Sequence, residues 1–176
     1  MSLKPPVSDR DHVQGNAKAH IELVEYGDYQ CPHCGHAHPI VKDIQKRMGD
    51  KLKFFFRNFP LAEIHPDATH AAIATEAAAA QGKFWEMHDI VFEHQRNLSD
   101  ASLVKLAKQI GLDIAQFEKD FDNQETQDKV ANDFESGVRS GVNGTPTFFV
   151  NGTKYNGSWE DESLLCLLYT SDAADE

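Results

Sequence analysis

The pattern of apolar and polar positions predicts two strands near the start of the chain. Residues 20–26 alternate between apolar and polar and carry β-branched and aromatic side chains, which is typical of a strand. Residues 52–59, LKFFFRNF, form a second strand-like run that stops at Pro60. Between the two runs, apolar residues recur at the spacing of a helix that Gly49 ends, namely Ile40, Val41, Ile44 and Met48. The first sixty residues therefore predict a β-α-β unit.

The middle of the chain, from about residue 65 to residue 140, predicts helices and no strand. Ser99 is a good N-cap, and Gly82 and Gly111 are good helix terminators. Helical periodicity covers residues 68–81, 84–95, 99–110, 113–121 and 125–140. This segment carries many apolar residues, so we expect a packed helical insertion and not a linker.

Strand signals return after Gly144. Residues 147–150 and 153–155 flank Asn151-Gly152, and this arrangement is typical of a β-hairpin. The stretch from Trp159 to Leu165 predicts the beginning of a last helix. The complete predicted order is β-α-β, a helical block, then β-β-α.

These elements divide the chain into five segments. A polar N-terminal arm covers residues 1–18, and the β-α-β unit covers residues 19–62. The helical insertion covers residues 63–140, and the hairpin with the start of the last helix covers residues 141–165. The run 166–176, CLLYTSDAADE, resembles the translation of a sequencing adapter. We therefore expect this run to be foreign to the native chain and its single cysteine to have no function.

Charge and composition argue against two classes of partner. The chain has 17 Lys and Arg against 28 Asp and Glu, a formal net charge of -11, whereas nucleic acids and anionic membranes attract a positive surface. No apolar run reaches the roughly 20 residues of a membrane-spanning helix, and residues 1–16 lack the apolar core of a secretory signal. We therefore expect no nucleic-acid or membrane partner and a cytoplasmic location. Thiols are normally reduced there, so neighbouring cysteines indicate catalysis or metal binding.

A cysteine pair lies where the first strand gives way to the helix, in the run Cys31-Pro32-His33-Cys34. The thiolate is the nucleophile in disulfide exchange, and the free N–H groups at a helix N-terminus stabilise that anion. Pro32 suits the first helical position because its missing N–H costs little there. His33 offers a cation or a hydrogen-bond donor beside the sulfur. The motif therefore predicts a nucleophilic Cys31 and, one turn further on, a resolving Cys34.

This motif, the strand before it, the helical block and Gly144-Thr145-Pro146-Thr147 together resemble the DsbA family of disulfide-forming enzymes in the thioredoxin superfamily. The likeness covers about residues 19–165. It implies the fold class α/β, a thioredoxin-like fold with an inserted helical subdomain.

Three further site residues follow from this resemblance. Glu25, six residues before Cys31, corresponds to a buried acid near the resolving cysteine, where a raised pKa lets a carboxyl group shuttle a proton. The alternative is a strand-end glutamate that faces solvent. Pro146 corresponds to a cis-proline that faces the sulfurs, so that Thr145 offers its backbone to an extended substrate. The alternative is an ordinary proline at the start of a strand. In the superfamily, the position of Thr145 also tunes redox behaviour.

The resemblance implies a thiol–disulfide oxidoreductase, and we expect no bound cofactor or metal. Its partners would be protein or peptide thiols and disulfides, and a redox partner that recharges Cys31 and Cys34. In this motif His33 stabilises the reduced thiolate form, which favours dithiol oxidation or isomerisation over reduction. A cytoplasmic location favours reduction instead, and the chain departs here from periplasmic members of the family, which carry a signal.

Two non-catalytic functions compete with this hypothesis. A zinc site is one, but no second ligand pair of the same kind follows the motif. Its candidate ligands lie within eight residues: Cys31, His33, Cys34, His36 and His38. A protein-binding module on the same fold is the other, but relatives of that kind typically lose one or both cysteines, and this chain keeps both.

Overall fold

A five-stranded mixed β-sheet forms the centre of the protein in the computed structural model, which describes residues 1–174. The strands are β1 (His12–Gly15), β2 (Ile21–Gly27), β3 (Leu52–Asn58), β4 (Thr147–Val150) and β5 (Thr153–Lys154). The helices are α1 (Pro32–Met48), α2 (Ala68–Ala79), α3 (Phe84–Glu93), α4 (Asp100–Gln109), α5 (Ile114–Phe121), α6 (Gln124–Arg139) and α7 (Ser163–Ala174). Within these residues, no helix combines the length and the apolar character that a membrane span requires.

The order of the strands brings the end of β2 and the beginning of β4 together. The sheet order is β1-β3-β2-β4-β5, with β2 parallel to β3 and antiparallel to β4. Tyr26, near the end of β2, pairs with Thr147, the first residue of β4. The residues that follow β2 and those that precede β4 therefore lie at the same edge of the sheet.

Alternation along the strands separates two apolar clusters. Leu23 and Phe56 belong to the larger cluster, which also contains the buried face of α1. Val24 and Phe55 belong to the smaller cluster, against which Phe134 of α6 packs. Full burial of each large apolar side chain contributes about 1.5 to 3 kcal/mol. This burial determines which side chains of β2 point towards α1.

The predicted fold class is confirmed: an α/β, thioredoxin-like order of elements with an inserted helical segment. Five helices, α2 to α6, fill the insertion, and no strand occurs in it within the described chain. The N-cap is as predicted, because Ser99 Oγ accepts a hydrogen bond from the Ser102 N–H at 3.3 Å. Gly111 follows α4 with a φ of +84°, a region that favours glycine.

The structure differs from the sequence-based elements at two places. The N-terminal arm contains β1, which pairs antiparallel with β3 and whose four residues include only Val13 as a large apolar side chain. Instead, the ring of His12 stacks on Phe84 with centroids 3.7 Å apart, so polar residues anchor this strand. The last helix begins at Ser163 and not at Trp159. Its entry is a turn in which Asp161 Oδ1 accepts from the Ser163 N–H at 2.8 Å.

The run 166–176 extends α7 as far as Ala174, and its last two residues lie outside the described part of the chain. Leu168 is fully buried, and the Tyr169 hydroxyl donates to the Arg47 carbonyl at 3.2 Å. Any helix-forming, apolar continuation would pack in this way. The foreign origin of the run therefore stays a prediction.

A buried polar network fastens the inserted helices to the sheet. The side-chain N–H₂ of Asn58, at the end of β3, donates to Glu76 Oε2 on α2 and to Asp133 Oδ2 on α6, each at 2.9 Å. The Asn58 backbone N–H also donates to Asp133 Oδ2, at 3.0 Å. Lys129 lies 2.8 Å from Asp133, and His12 lies 2.8 Å from Glu76. Glu76 and Asp133 keep the hydrogen bonds from Asn58 only while the insertion is docked on the sheet.

Replacing Asn58 with alanine removes a side chain that donates a hydrogen bond to each of the two carboxylates. We expect Asn58→Ala to lower the free energy of unfolding by about 2 to 4 kcal/mol, because two buried charged acceptors each lose a donor. Urea unfolding measures the change. The matched control is Asn132→Ala on the exposed face of α6, which should change stability by less than about 0.5 kcal/mol. Equal effects of the two substitutions would contradict the role of the network.

Candidate active site

The cysteine pair lies at the N-terminus of α1, directly after the turn that follows β2. Cys31 is the N-cap of this helix and Pro32 is its first residue. The Cys31 N–H donates to the Asp28 carbonyl at 3.1 Å, which closes the turn. Both cysteines are free. The chain thus presents the two sulfurs at the positive end of a helix of 17 residues.

Cys31 has the environment of a stable thiolate. Its pKa is lowered from the usual 9.0 to about 5, first because the Cys34 thiol donates a hydrogen bond to the sulfur. Burial opposes this effect, and hydrogen bonds with Thr145 and with the backbone N–H groups of Cys34 and His33 add to it. The Thr145 hydroxyl is buried without another partner among the described residues, so it is available to the sulfur.

Cys34 has the opposite environment. The residue is 0% exposed, against 4% for Cys31. Burial is the first cause that raises the pKa of the Cys34 thiol well above 9.0, and the negative charges of Glu25 and Cys31 act in the same direction. The Asp28 N–H approaches Cys34 Sγ at 3.4 Å. At neutral pH, Cys31 is therefore the anion and Cys34 is a neutral thiol that donates to it.

Glu25 is buried beside this pair. It is 2% exposed and pairs with Phe148 across β2 and β4, so the alternative of a glutamate facing solvent does not hold. Glu25 Oε2 has no hydrogen-bond partner among the described residues. Burial, followed by the negative charge of Cys31, raises the pKa of the Glu25 carboxyl to about 8. The group therefore holds a proton at neutral pH.

The Thr145–Pro146 peptide bond is cis, as the resemblance implies, while the role of Pro146 in the site stays a prediction. These two residues precede β4, and the pairing of β4 with β2 brings them to the edge of the sheet where α1 begins. Cys31 Sγ lies 3.7 Å from the Thr145 carbonyl oxygen. The backbone of Thr145 therefore borders the Cys31 sulfur.

His33 and Pro32 are both exposed at the tip of the helix. The His33 backbone N–H helps to stabilise the Cys31 thiolate. The imidazole ring has no hydrogen-bond partner in the described part of the chain, so its predicted role as a cation or donor beside the sulfur stays a prediction. Pro32 occupies the first helical position, as its missing N–H suggests.

The sequence did not indicate the side chains that hold the turn between β2 and α1. Asp28 is 1% exposed, and its Oδ2 accepts from the Leu61 N–H at 3.0 Å and pairs with His65 Nδ1 at 2.7 Å. Its Oδ1 accepts from the Gln30 N–H at 2.8 Å. In the sequence, Gly27-Asp28 indicates only the end of a strand, because Leu61 and His65, the partners of Asp28 Oδ2, lie more than 30 residues further along the chain.

The cysteines do not join a cluster of metal ligands. Within the described residues, the donor atoms of three candidate ligands lie within 4.8 Å of one another only at His38, His88 and Asp89. Lys42 already lies 3.0 Å from Asp89 Oδ1 and supplies a positive charge there. His36, another candidate from the sequence, instead packs near Trp159 with centroids 5.7 Å apart. The five ligands proposed for a zinc site thus do not converge.

Known proteins resemble this chain over most of its length. The profile of the thioredoxin family matches residues 7–168. A thioredoxin-like oxidoreductase from Silicibacter pomeroyi is 25% identical, with a TM-score of 0.84 over 96% of this chain and 95% of that one. Wolbachia pipientis alpha-DsbA1 is 24% identical, with a TM-score of 0.80 over 97% of this chain and 96% of that one, which shows a common fold.

A longer relative is more similar in sequence. A protein of Salinispora tropica named Na(+)/H(+) antiporter NhaA 3 is 39% identical over 99% of this chain and 27% of its own length. The chain spans about a quarter of the length of the curated relatives that it matches. By its sequence profile and its architecture, this chain belongs to the thioredoxin family and has the fold of the DsbA-like thiol–disulfide oxidoreductases.

Proposed function

We propose that this protein exchanges disulfides with protein or peptide thiols through Cys31 and Cys34. Cys31 is the sulfur that substrates attack or that attacks substrates, and Cys34 is the resolving sulfur. The observation that carries the proposal is the opposite ionisation of the two thiols. The pKa of Cys31 is lowered to about 5, while the pKa of Cys34, one helical turn deeper, is raised.

In the oxidising direction, a substrate thiolate attacks Sγ of Cys31 in the Cys31–Cys34 disulfide. The disulfide bond breaks, and Cys34 leaves as a thiolate while the substrate is joined to Cys31. A second substrate thiolate then attacks the substrate sulfur of this mixed disulfide, and Cys31 leaves as a thiolate. The substrate thus loses two electrons and gains a disulfide, and the enzyme gains both electrons as the reduced pair.

Glu25 supplies the proton that this sequence of steps requires. The thiolate of Cys34 is costly because the sulfur is fully buried, so it must be protonated as it leaves. A carboxyl group with a pKa of about 8 is protonated at pH 7 and can give its proton to Cys34. In the reverse direction, the Glu25 carboxylate takes the proton back when Cys34 attacks a mixed disulfide.

The stabilised thiolate at Cys31 favours oxidation or isomerisation over reduction. A low thiol pKa stabilises the reduced enzyme and makes its disulfide a stronger oxidant. The proposed cycle therefore needs a partner that accepts the electrons and restores the Cys31–Cys34 disulfide. A cytoplasmic location stays a prediction, and it would oppose oxidation because the thiol pool there is reducing.

Single substitutions distinguish the proposed roles of Cys31 and Cys34. Cys31→Ser should abolish disulfide exchange with a peptide disulfide, because no thiolate remains at the surface of the pair. Reduced Cys34→Ser should still react but should accumulate a mixed disulfide between Cys31 and the peptide, because no resolving sulfur follows. Mass spectrometry of the intact, alkylated protein detects this adduct.

Cys166→Ser is the control for these variants, since Cys166 is exposed and lies outside the pair. It should exchange disulfides at the rate of the unchanged protein. Full exchange activity in Cys31→Ser would refute the assigned nucleophile.

Glu25→Gln removes the buried acid while keeping its size. The folded pKa of about 8 lies above the usual 4.5, so burying Glu25 costs stability that grows as the pH rises from about 4.5 to 8. At pH 8, the free energy of unfolding of the variant should therefore exceed that of the unchanged protein, by a few kcal/mol at most. Below pH 4.5 the two free energies should be equal. Loss of the proton donor should slow the exchange reaction by about 100-fold.

Urea unfolding of the reduced protein across this pH range and the rate of peptide oxidation measure both effects. Glu93→Gln, at an exposed position at the end of α3, is the control and should change neither. An unchanged exchange rate in Glu25→Gln would remove Glu25 from the proton transfer.

A further inference from the structure

The side chain of Gln95 reaches from the inserted helices to the turn that carries Cys31. Gln95 follows α3 and is half-buried. Its Nε2 donates to the Tyr29 carbonyl at 2.8 Å and to the Cys31 carbonyl at 2.9 Å. One amide group therefore uses both of its N–H donors on the backbone of the turn.

Gly35 leaves the space that this amide occupies. A Cβ atom added at Gly35 would overlap Oε1 and Cδ of Gln95. The Gly35 N–H donates to the Cys31 carbonyl at 3.1 Å, so this carbonyl receives hydrogen bonds from both residues. The absence of a side chain directly after the cysteine motif and the presence of an amide at position 95 are thus two parts of one contact.

For the disulfide exchange proposed above, we propose that Gln95 is the positioning residue of Cys31: it holds the Tyr29–Cys31 backbone in the conformation that keeps the Cys31 sulfur at the tip of α1. The proposal rests on that function, and it adds a role for the inserted helices at the redox centre.

Gln95 acts on the Cys31 sulfur through the Cys31 carbonyl. The carbonyl oxygen carries a partial negative charge and lies in the same residue as the sulfur. A free, mobile carbonyl would therefore disfavour the Cys31 thiolate. Two N–H groups, from Gln95 and Gly35, offset this partial charge and fix the carbonyl direction. The fixed turn in turn determines how the N–H groups of His33 and Cys34 face the sulfur.

Gln81 makes a contact of the same kind elsewhere in the insertion. Its side chain donates to the Asp113 carbonyl at 3.1 Å and accepts from the Asp113 N–H at 3.0 Å. Like Gln95, it is half-buried and makes two hydrogen bonds to the backbone. It does not touch the turn before α1. Gln81 therefore provides a matched control for the loss of a backbone-binding glutamine.

Gln95→Met keeps an unbranched side chain of similar volume and removes both donors. In the reduced protein, we expect the pH at which Cys31 is half ionised to rise by about 0.5 pH unit or more. The equilibrium constant for oxidation of glutathione should fall by about threefold, because the reduced form loses the same stabilisation. Thiolate absorbance across pH measures the first quantity, and equilibration with a glutathione redox buffer measures the second.

Gly35→Ala tests the same contact from the other side. Its Cβ displaces the Gln95 amide, so the ionisation of Cys31 should shift in the same direction as in Gln95→Met. In a Gln95→Ala background the added Cβ meets no amide, and Gly35→Ala should cause little further shift. Equal shifts from Gly35→Ala in both backgrounds would overturn the proposal, since they would arise without Gln95.

Gln81→Met should leave the ionisation of Cys31 unchanged. The proposal is also overturned if Cys31 of Gln95→Met is half ionised at the same pH as in the unchanged protein. The same holds if Gln81→Met changes this pH as much as Gln95→Met does. If Gln95→Met does not fold, the comparison of Gly35→Ala alone with Gly35→Ala in the Gln95→Ala background tests the same proposal. Thiol ionisation is measured without substrate, so it tests the role of Gln95 even if the protein does not exchange disulfides. Likewise, an unchanged ionisation of Cys31 in Gln95→Met would not affect the evidence for disulfide exchange.

Discussion

The different depth of Cys31 and Cys34 at the N-terminus of α1 is the constraint on which the site depends. Cys34 is fully buried and Cys31 is slightly exposed, and the Cys34 thiol is the first cause that lowers the pKa of Cys31. Burial keeps the proton on the inner sulfur, and helix N–H groups stabilise the anion on the outer one. One turn of helix thereby gives two identical side chains opposite pKa shifts.

The sheet and the insertion hold this arrangement from two sides. Register between β2 and β4 brings the Thr145 backbone to the Cys31 sulfur and directs Glu25 towards the same interior. On the other side, Asn58 and Gln95 connect the inserted helices to the end of β3 and to the turn before α1. The helical insertion thus supports the turn that carries Cys31 and is not an appendage to the sheet.

Much of this could be predicted from the sequence because the signals are local. Strand alternation, helix spacing, the cysteine spacing and the Asn151-Gly152 hairpin each depend on neighbouring residues, and the fold follows from their order. Glu25 and Pro146 needed a family resemblance, because their roles depend on the pairing of β2 with β4. Strand β1 escaped prediction because pairing and the stacking of His12 on Phe84 stabilise it, not an apolar pattern.

The supports of the turn escaped prediction for the same reason. Asp28, His65 and Gln95 are ordinary polar residues in the sequence, and only tertiary contacts between distant loops give them a role. Periodicity carries no information about such contacts. Polar side chains that satisfy backbone groups at a site are therefore the part of an active site that a single sequence hides best.

Residue-resolved alkylation of the reduced protein measures whether Cys31 and Cys34 ionise at opposite ends of the pH range. The rate of modification at each cysteine, measured across pH by mass spectrometry, follows its thiolate fraction. We expect Cys31 to reach half of its maximal reactivity near pH 5 while Cys34 remains unmodified through neutral pH. If the reactivity of Cys31 rose only near pH 9, or if Cys34 were modified alongside it, the two thiols would not ionise oppositely and the proposed roles of Cys31 and Cys34 would be wrong.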